Sequence, residues 1–284
     1  FFFCGRIGHM KTLAILYDFD KTLSPKDMEE YSLIPSLGYN NAKEFWNEVT
    51  ELSMRNCMDS ISAYLYLLQK KYEDAGNPLK RENFHELGKE VELFPGVDTW
   101  FKRINDYGRQ HDFMVEHYII SSGMSEVIEE CPIAREFKKI YACRYYYDED
   151  GNAKWPARIV NYTTKTQYVF RINKGVLDES DDKSLNEYVK PSKRPVPVYR
   201  MIYIADGLTD VPCMRLVKEY DGKSIAVYDK SDAVAKKLID DRRVNFMAKA
   251  DYTEGSDMEK LVKHIIDHMA CDAILEDREG YSHE

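Results

Sequence analysis

Thr12-Leu13-Ala14-Ile15-Leu16-Tyr17-Asp18-Phe19-Asp20-Lys21-Thr22 is an apolar run that ends abruptly in two carboxylates. A short run of this kind, bounded by polar residues and then broken by Leu23-Ser24-Pro25, reads as a buried strand entering a loop. The same grammar recurs downstream. Residues 116–120 (EHYII) run into Ser121-Ser122-Gly123, and residues 201–205 (MIYIA) into Asp206-Gly207. Residues 224–228 (SIAVY) form a fourth such run.

Helical segments separate these strands. Residues 97–107 are amphipathic, with Gly108 as the expected stop, and 125–130, 211–220, 232–240 and 257–269 also read as helices. Residues 140–147 and 157–162 flank a turn ending in Asp150-Gly151 and predict a hairpin. Residues 178–194 are polar and predict a solvated helix and loop. Between residues 26 and 92 no stretch alternates like a strand; 59–70 places Ile61, Tyr64, Leu65 and Leu68 on one face behind Asp59 or Ser60 as N-cap. Strands alternating with helices predict an α/β fold with a mostly parallel sheet covered on both faces. Ligands of such sheets bind beyond the carboxyl ends of the strands, so Asp18, Ser121 and Asp206 are predicted to converge on one crevice.

The chain has 284 residues, enough for one large domain or a domain carrying a smaller insertion. A net charge of −9 argues against a nucleic-acid binder and requires any bound phosphate to be neutralised locally. No apolar run reaches the roughly 18 residues of a membrane span. Cys4, Cys57, Cys131, Cys143, Cys213 and Cys271 show no zinc-like spacing. They are expected to be buried reduced thiols, which implies a reducing, cytoplasmic compartment. Residues 1–9 start with an apolar stretch too short for a signal peptide. Gly8-His9-Met10 looks like a cloning scar with Met10 as the natural start, so the fold reading begins there.

Asp18 and Asp20 lie two residues apart at a strand end, and Asp206 and Asp210 form a second pair at another. Either pair alone fits a solvated loop or a helix N-terminus. Close carboxylates repel unless a cation lies between them, and hard divalent cations take oxygen ligands. Two such pairs at strand ends therefore suggest one shared cation.

With these residues in place, the chain from Met10 onward resembles the haloacid dehalogenase-like hydrolase superfamily, in its phosphoserine-phosphatase-like branch. Asp18-Phe19-Asp20-Lys21-Thr22 is similar to its first motif, Ser121 to its second, Lys174 to its third and Ala205-Asp206-Gly207-Leu208-Thr209-Asp210 to its fourth. Lys165 is also in range for the third. Ala205 stands where many members have glycine, and Thr209 where that branch often has asparagine.

The resemblance implies a Rossmann-like core and a Mg2+-dependent phosphatase acting on a small phosphorylated metabolite. Asp18 would be the nucleophile that forms an aspartyl-phosphate, and Asp20 the acid and base. The metal would sit on Asp18, Asp20 through its main-chain carbonyl, and Asp206, with Thr22 and Asp210 in support. Ser121, Ser122, Gly123 and Lys174 would hold the phosphate. Asp18 and Ser121 are 103 residues apart, whereas a βα unit needs only about 30. The excess at 27–93 resembles a helical cap inserted into a core made of 10–26 and 94–284. Asp27, Glu29, Glu30 and Arg55 are polar cap candidates near the crevice. A phosphotransferase of the same superfamily, or a non-catalytic binding protein on this fold, are the alternatives.

Overall fold

The computed structural model describes residues 10–31 and 33–279; Cys4 and the rest of the 1–9 segment lie outside them. Chain order begins with β1 (Lys11–Tyr17), then α1 (Leu33–Ser36), α2 (Ala42–Asn56), α3 (Ser60–Asp74), α4 (Glu82–Glu90) and α5 (Val97–Gln110). Next come β2 (Phe113–Met124), α6 (Ser125–Ile128), β3 (Lys139–Tyr147), β4 (Ala153–Arg158), α7 (Thr166–Lys174) and α8 (Asp182–Asn186). The chain closes with β5 (Met201–Ala205), α9 (Val211–Glu219), β6 (Lys223–Tyr228), α10 (Ala233–Asp240), β7 (Phe246–Lys249) and α11 (Asp257–Glu279).

Among the described residues, seven strands form one sheet in the order β4-β3-β2-β1-β5-β6-β7. Only the β3–β4 pair is antiparallel. Every residue of β5 and residues 13–17 of β1 are fully buried, as central strands covered on both faces require. From β1 the chain crosses to β2 on one side, and from β5 to β6 on the other. Right-handed crossovers put the helices of these two connections on opposite faces. Accordingly α5 packs on β2 and α11, while α9 packs on β5, β6 and α7. The place beyond the carboxyl ends of β1 and β5 is therefore a topological switch point, where ligands of such sheets bind.

The expected helix stop at Gly108 is corrected: α5 continues to Gln110. A Cβ at Gly108 would lie 2.3 Å from Val115 Cγ2, so glycine serves the close approach of α5 to β2. Gly108→Ala is expected to cost about 1–3 kcal/mol by overpacking, read from the denaturation midpoint. The second hairpin strand starts at Ala153 rather than 157. The Asp148 carboxylate accepts from Asp150 N and Asn152 N, and Gly151 takes φ +76°. The turn is complete by then, and pairing resumes at once. The α11 helix runs ten residues past 269 because its buried stripe continues through Met269 and Ala273. Cys131, Cys143 and Cys213 are buried and free, but Cys57 and Cys271 are exposed. Cys57 ends α2 in the left-handed conformation, at φ 49°, which turns it out of the core.

One buried polar chain links β1, α5 and β2. Trp100 Nε1 donates to Tyr17 Oη at 2.9 Å, Tyr17 Oη lies 3.0 Å from His117 Nδ1, and His117 Nε2 lies 3.0 Å from Asn105 Oδ1. The tyrosine hydroxyl proton is then directed to Nδ1, so His117 must stay neutral with its proton on Nε2. Burial pushes His117 down to about 3. The unfolded chain takes up that proton below about pH 6.5. Its contribution to stability is therefore complete above that pH and lost progressively as the pH falls toward 3. Chemical denaturation of His117→Gln is expected to show a flatter fall in stability between about pH 6.5 and 4 than the parent.

Candidate active site

Asp18 N donates to Ile204 O at 3.0 Å, which sets Asp18 beside the end of β5 and its neighbour Asp206. Asp206 N donates to Thr22 Oγ1 at 3.1 Å, and Thr22 O accepts from Tyr252 Oη at 2.8 Å. Three distant segments are thus tied at one point. Phe19 O accepts from the amides of Thr22, Leu23 and Ser24, and Lys21 adopts φ 56°. The chain therefore doubles back directly after Asp20, whose Oδ1 accepts from Met28 N at 2.9 Å.

Asp18, Asp206 and Asp210 each bring a carboxylate oxygen within 4.8 Å of the others'. They differ in what remains unused. Asp210 Oδ1 accepts from Lys165 Nζ at 2.7 Å and Tyr203 Oη at 2.6 Å, and its Oδ2 from Thr209 Oγ1 at 3.0 Å. Asp18 Oδ1 accepts from Phe19 N at 2.9 Å and faces Lys165 Nζ at 3.5 Å. Among the described residues, nothing bonds to Asp18 Oδ2 or to the Asp206 carboxylate. Hard oxygens left over on two adjacent acids fit a divalent cation of the magnesium kind.

The charges make the same case. Burial, then Asp210, pushes Asp18 well above the carboxylate range, with Asp206 adding to this and Lys165 opposing it. Burial and then Asp210 raise Asp206 to about 7. Burial raises Asp20 well above its usual value too, followed by Glu29, Asp27 and Asp18. Burial lowers the Lys165 ammonium's proton affinity, but Asp18 and Asp210 outweigh it and raise it above the usual lysine value. One buried cation among these acids leaves a negative excess that a divalent ion would cancel.

Ser121 was expected to close its strand, but β2 runs through Ser121-Ser122-Gly123 to Met124, with irregular pairing to β3. Gly123 N donates to Ser121 Oγ at 3.0 Å, so that amide is engaged within the loop. A Cβ at Gly123 would lie 2.2 Å from Met28 Cε and 2.9 Å from Asp20 Oδ2; the glycine makes room first for the Met28 side chain and also for that carboxylate. Ser122 Oγ is buried without a hydrogen-bond partner among the described residues.

Lys174 requires correction. Its ammonium donates to Leu185 O at 2.6 Å and Glu187 O at 2.8 Å, away from the acids. Lys165 takes the place beside them, fully buried. The two lysines stand at opposite ends of α7, about 13 Å apart along its axis, so only one can reach the cluster. Of the cap candidates, Asp27 pairs with Lys21 at 2.6 Å. Glu29 is buried, and that burial and then Asp27 push it up to about 8. Glu30 is half-buried and Arg55 exposed.

Two contributors escaped the sequence reading. Tyr203 orients Asp210, and a phenol inside a buried strand always needs such a partner. Tyr64 of α3, read as part of an apolar face, donates to Ser122 O at 3.2 Å; nothing in its helical spacing marks that bond.

A model of the haloacid dehalogenase-like hydrolase family matches residues 15–215. An uncharacterized protein of Borreliella burgdorferi is 28% identical over 274 residues, covering 86% of this chain and 93% of that protein. A HAD family hydrolase of Salmonella enterica serovar Typhi superposes with a TM-score of 0.59 at 15% identity, over 90% of this chain and 72% of that one. A phosphoserine phosphatase, solved as an analogue of its phospho-aspartyl intermediate, superposes with a TM-score of 0.53 at 14% identity, over 89% and 99%.

Proposed function

This chain belongs to the haloacid dehalogenase-like hydrolase family, and on that footing we propose that it is a Mg2+-dependent phosphatase of a small phosphorylated metabolite. The observation that carries the reading is the pair Asp18 and Asp206, close enough to share an ion and each with an unused oxygen beside the buried Lys165.

Asp18 attacks phosphorus, the ester oxygen departs, and an aspartyl-phosphate forms. Asp20 gives the departing oxygen its proton and later takes one from the hydrolytic water. That acid favours an ester over a halide, which needs no proton. The Lys165 ammonium and the Ser121 hydroxyl hold the phosphoryl oxygens, with the unpartnered Ser122 hydroxyl as a further donor. Asp210, engaged by Lys165, Tyr203 and Thr209, fixes the ammonium. Magnesium held by Asp18, Asp206 and the Asp20 carbonyl would supply charge neutralisation between the acids and the phosphate.

Residues 27–93 would act as a cap on a core of 10–26 and 94–284, excluding water and selecting the leaving group. The Tyr64 bond to the Ser122 carbonyl supports that role. Among the described residues no helix is long and apolar enough to cross a membrane. The free cysteines support a cytoplasmic setting, and the net charge of −9 speaks against a nucleic-acid substrate.

The test is release of phosphate from an aryl phosphate. A chelator is expected to slow it at least about 100-fold, and added magnesium to restore it. Borohydride reduction of the enzyme during turnover is expected to convert residue 18 to homoserine. Equal rates with and without chelator would end this reading; transfer to an added alcohol in place of water would favour a phosphotransferase.

A further inference from the structure

We propose a second, non-catalytic anion site on the hairpin side of the sheet, in which Arg144 binds an oxyanion beside Arg158. A cavity of about 690 Å3 opens between the β3–β4 hairpin, the start of α7 and residues 178–180. Arg144, Tyr146, Arg158, Gln167, Tyr168 and Glu179 line it, and none of the acidic cluster does.

Arg144 and Arg158 are direct cross-strand partners. Like charges in that position repel. Lys139 adds a third cation: burial and then Arg158 and Arg144 hold its ammonium below the usual lysine value. Carboxylates stand near them, but none forms an ion pair or hydrogen bond with Arg144 among the described residues. Glu179 is shared by Arg158 and Lys139. Asp178 accepts from Ser180 N and Oγ at 2.9 and 2.8 Å. Glu126 accepts from Tyr145 N and Tyr147 Oη through one oxygen; its other oxygen is buried without a partner among the described residues, and Arg144 acts on the carboxylate only through space.

The two arginines differ in what they have left to give. Arg158 is locked by Glu179, Ser125 Oγ and the Ala142 carbonyl. Arg144 is half-buried and has no hydrogen bond or ion pair among the described residues. A guanidinium that donates to no described residue, next to a fixed second one in a cavity that Tyr146 and Tyr168 also line, can take a forked oxyanion. A phosphoryl and a carboxylate group share that chemistry.

The experiment is thermal denaturation of the full chain, metal-free, for the parent and Arg144→Gln. Each is melted in chloride, in inorganic phosphate and in malonate at equal ionic strength. The parent is expected to gain about 2–4 °C from one of the two oxyanions over chloride, which identifies the preferred group. Arg144→Gln is expected to melt no lower than the parent in chloride, since Arg144 makes no hydrogen bond or ion pair among the described residues, and to lose at least half of that gain. Any phosphate bound at the acidic cluster is common to both proteins and cancels. Equal gains in both, including none in either, would overturn the site. So would a variant that melts lower in chloride, because Arg144 would then serve as the internal partner of Glu126. Aryl phosphate turnover by Arg144→Gln is expected to match the parent, so this test and the catalytic one fail independently.

Discussion

Asp18→Asn is expected to lower kcat for an aryl phosphate by about 10⁴-fold with little change in KM. An amide keeps the shape of the side chain and can still accept the Phe19 amide through its oxygen, but it has no charged oxygen with which to attack phosphorus. The variant is also expected to be more stable than the parent without metal. Burial raises the proton affinity of Asp18 most, Asp210 and then Asp206 add to it, and Lys165 opposes them; removing its charge relieves a desolvation and a repulsion that the folded state otherwise bears. Magnesium should then stabilise the variant less than the parent, since one ligand is weakened. Activity and thermal midpoint thus move in opposite directions, which separates lost chemistry from lost folding. Activity within tenfold of the parent would remove Asp18 from the nucleophile's role.

Lys165→Met and Lys174→Met are expected to diverge by a wide margin. Lys165 is fully buried between Asp18 and Asp210. Its loss leaves two buried carboxylates without their cation, which costs about 3–5 kcal/mol. It also removes the ammonium proposed to hold the phosphoryl group, worth about 10²–10³-fold in kcat. Added magnesium should recover part of the stability but not the rate, because a metal replaces the missing charge without replacing the donor. Lys174 bonds two main-chain carbonyls at the end of α7, so its variant should stay within about threefold in kcat. Phosphate-release kinetics and denaturation of both variants decide the matter; a dead Lys174→Met with an active Lys165→Met would reverse the placement of α7.

How far the residues alone reach is clear from particular elements. The strand Met201–Ala205 was readable to its ends, because five apolar residues meet an acid without transition. The strand at 12–17 and the acids closing both strands were equally readable. Burial in a parallel sheet writes itself as an unbroken apolar run, and a run of that kind is local information. The Asp59 cap of α3, accepting from Ile61 N and Ser62 N, is local in the same sense. By contrast β7, with Phe246-Met247-Ala248-Lys249, is too short and too mixed to show a period; it is a strand only because β6 offers it an edge.

Local pattern was enough for the α/β class, the mostly parallel sheet and the placing of Asp18 and Asp206 at the ends of two buried strands. Only the tertiary contacts show which lysine enters the acids, that Tyr203 and Thr209 engage Asp210, that Gly108 is a packing residue, and that Arg144 has no partner among the described residues. The reason is distance along the chain. Periodicity reports what neighbours a few residues apart do, whereas Lys165 meets Asp210 across 45 residues and Thr22 meets Asp206 across 184. Which of several equivalent side chains completes such a contact depends on how strands cross and where a helix begins, and no local pattern carries that.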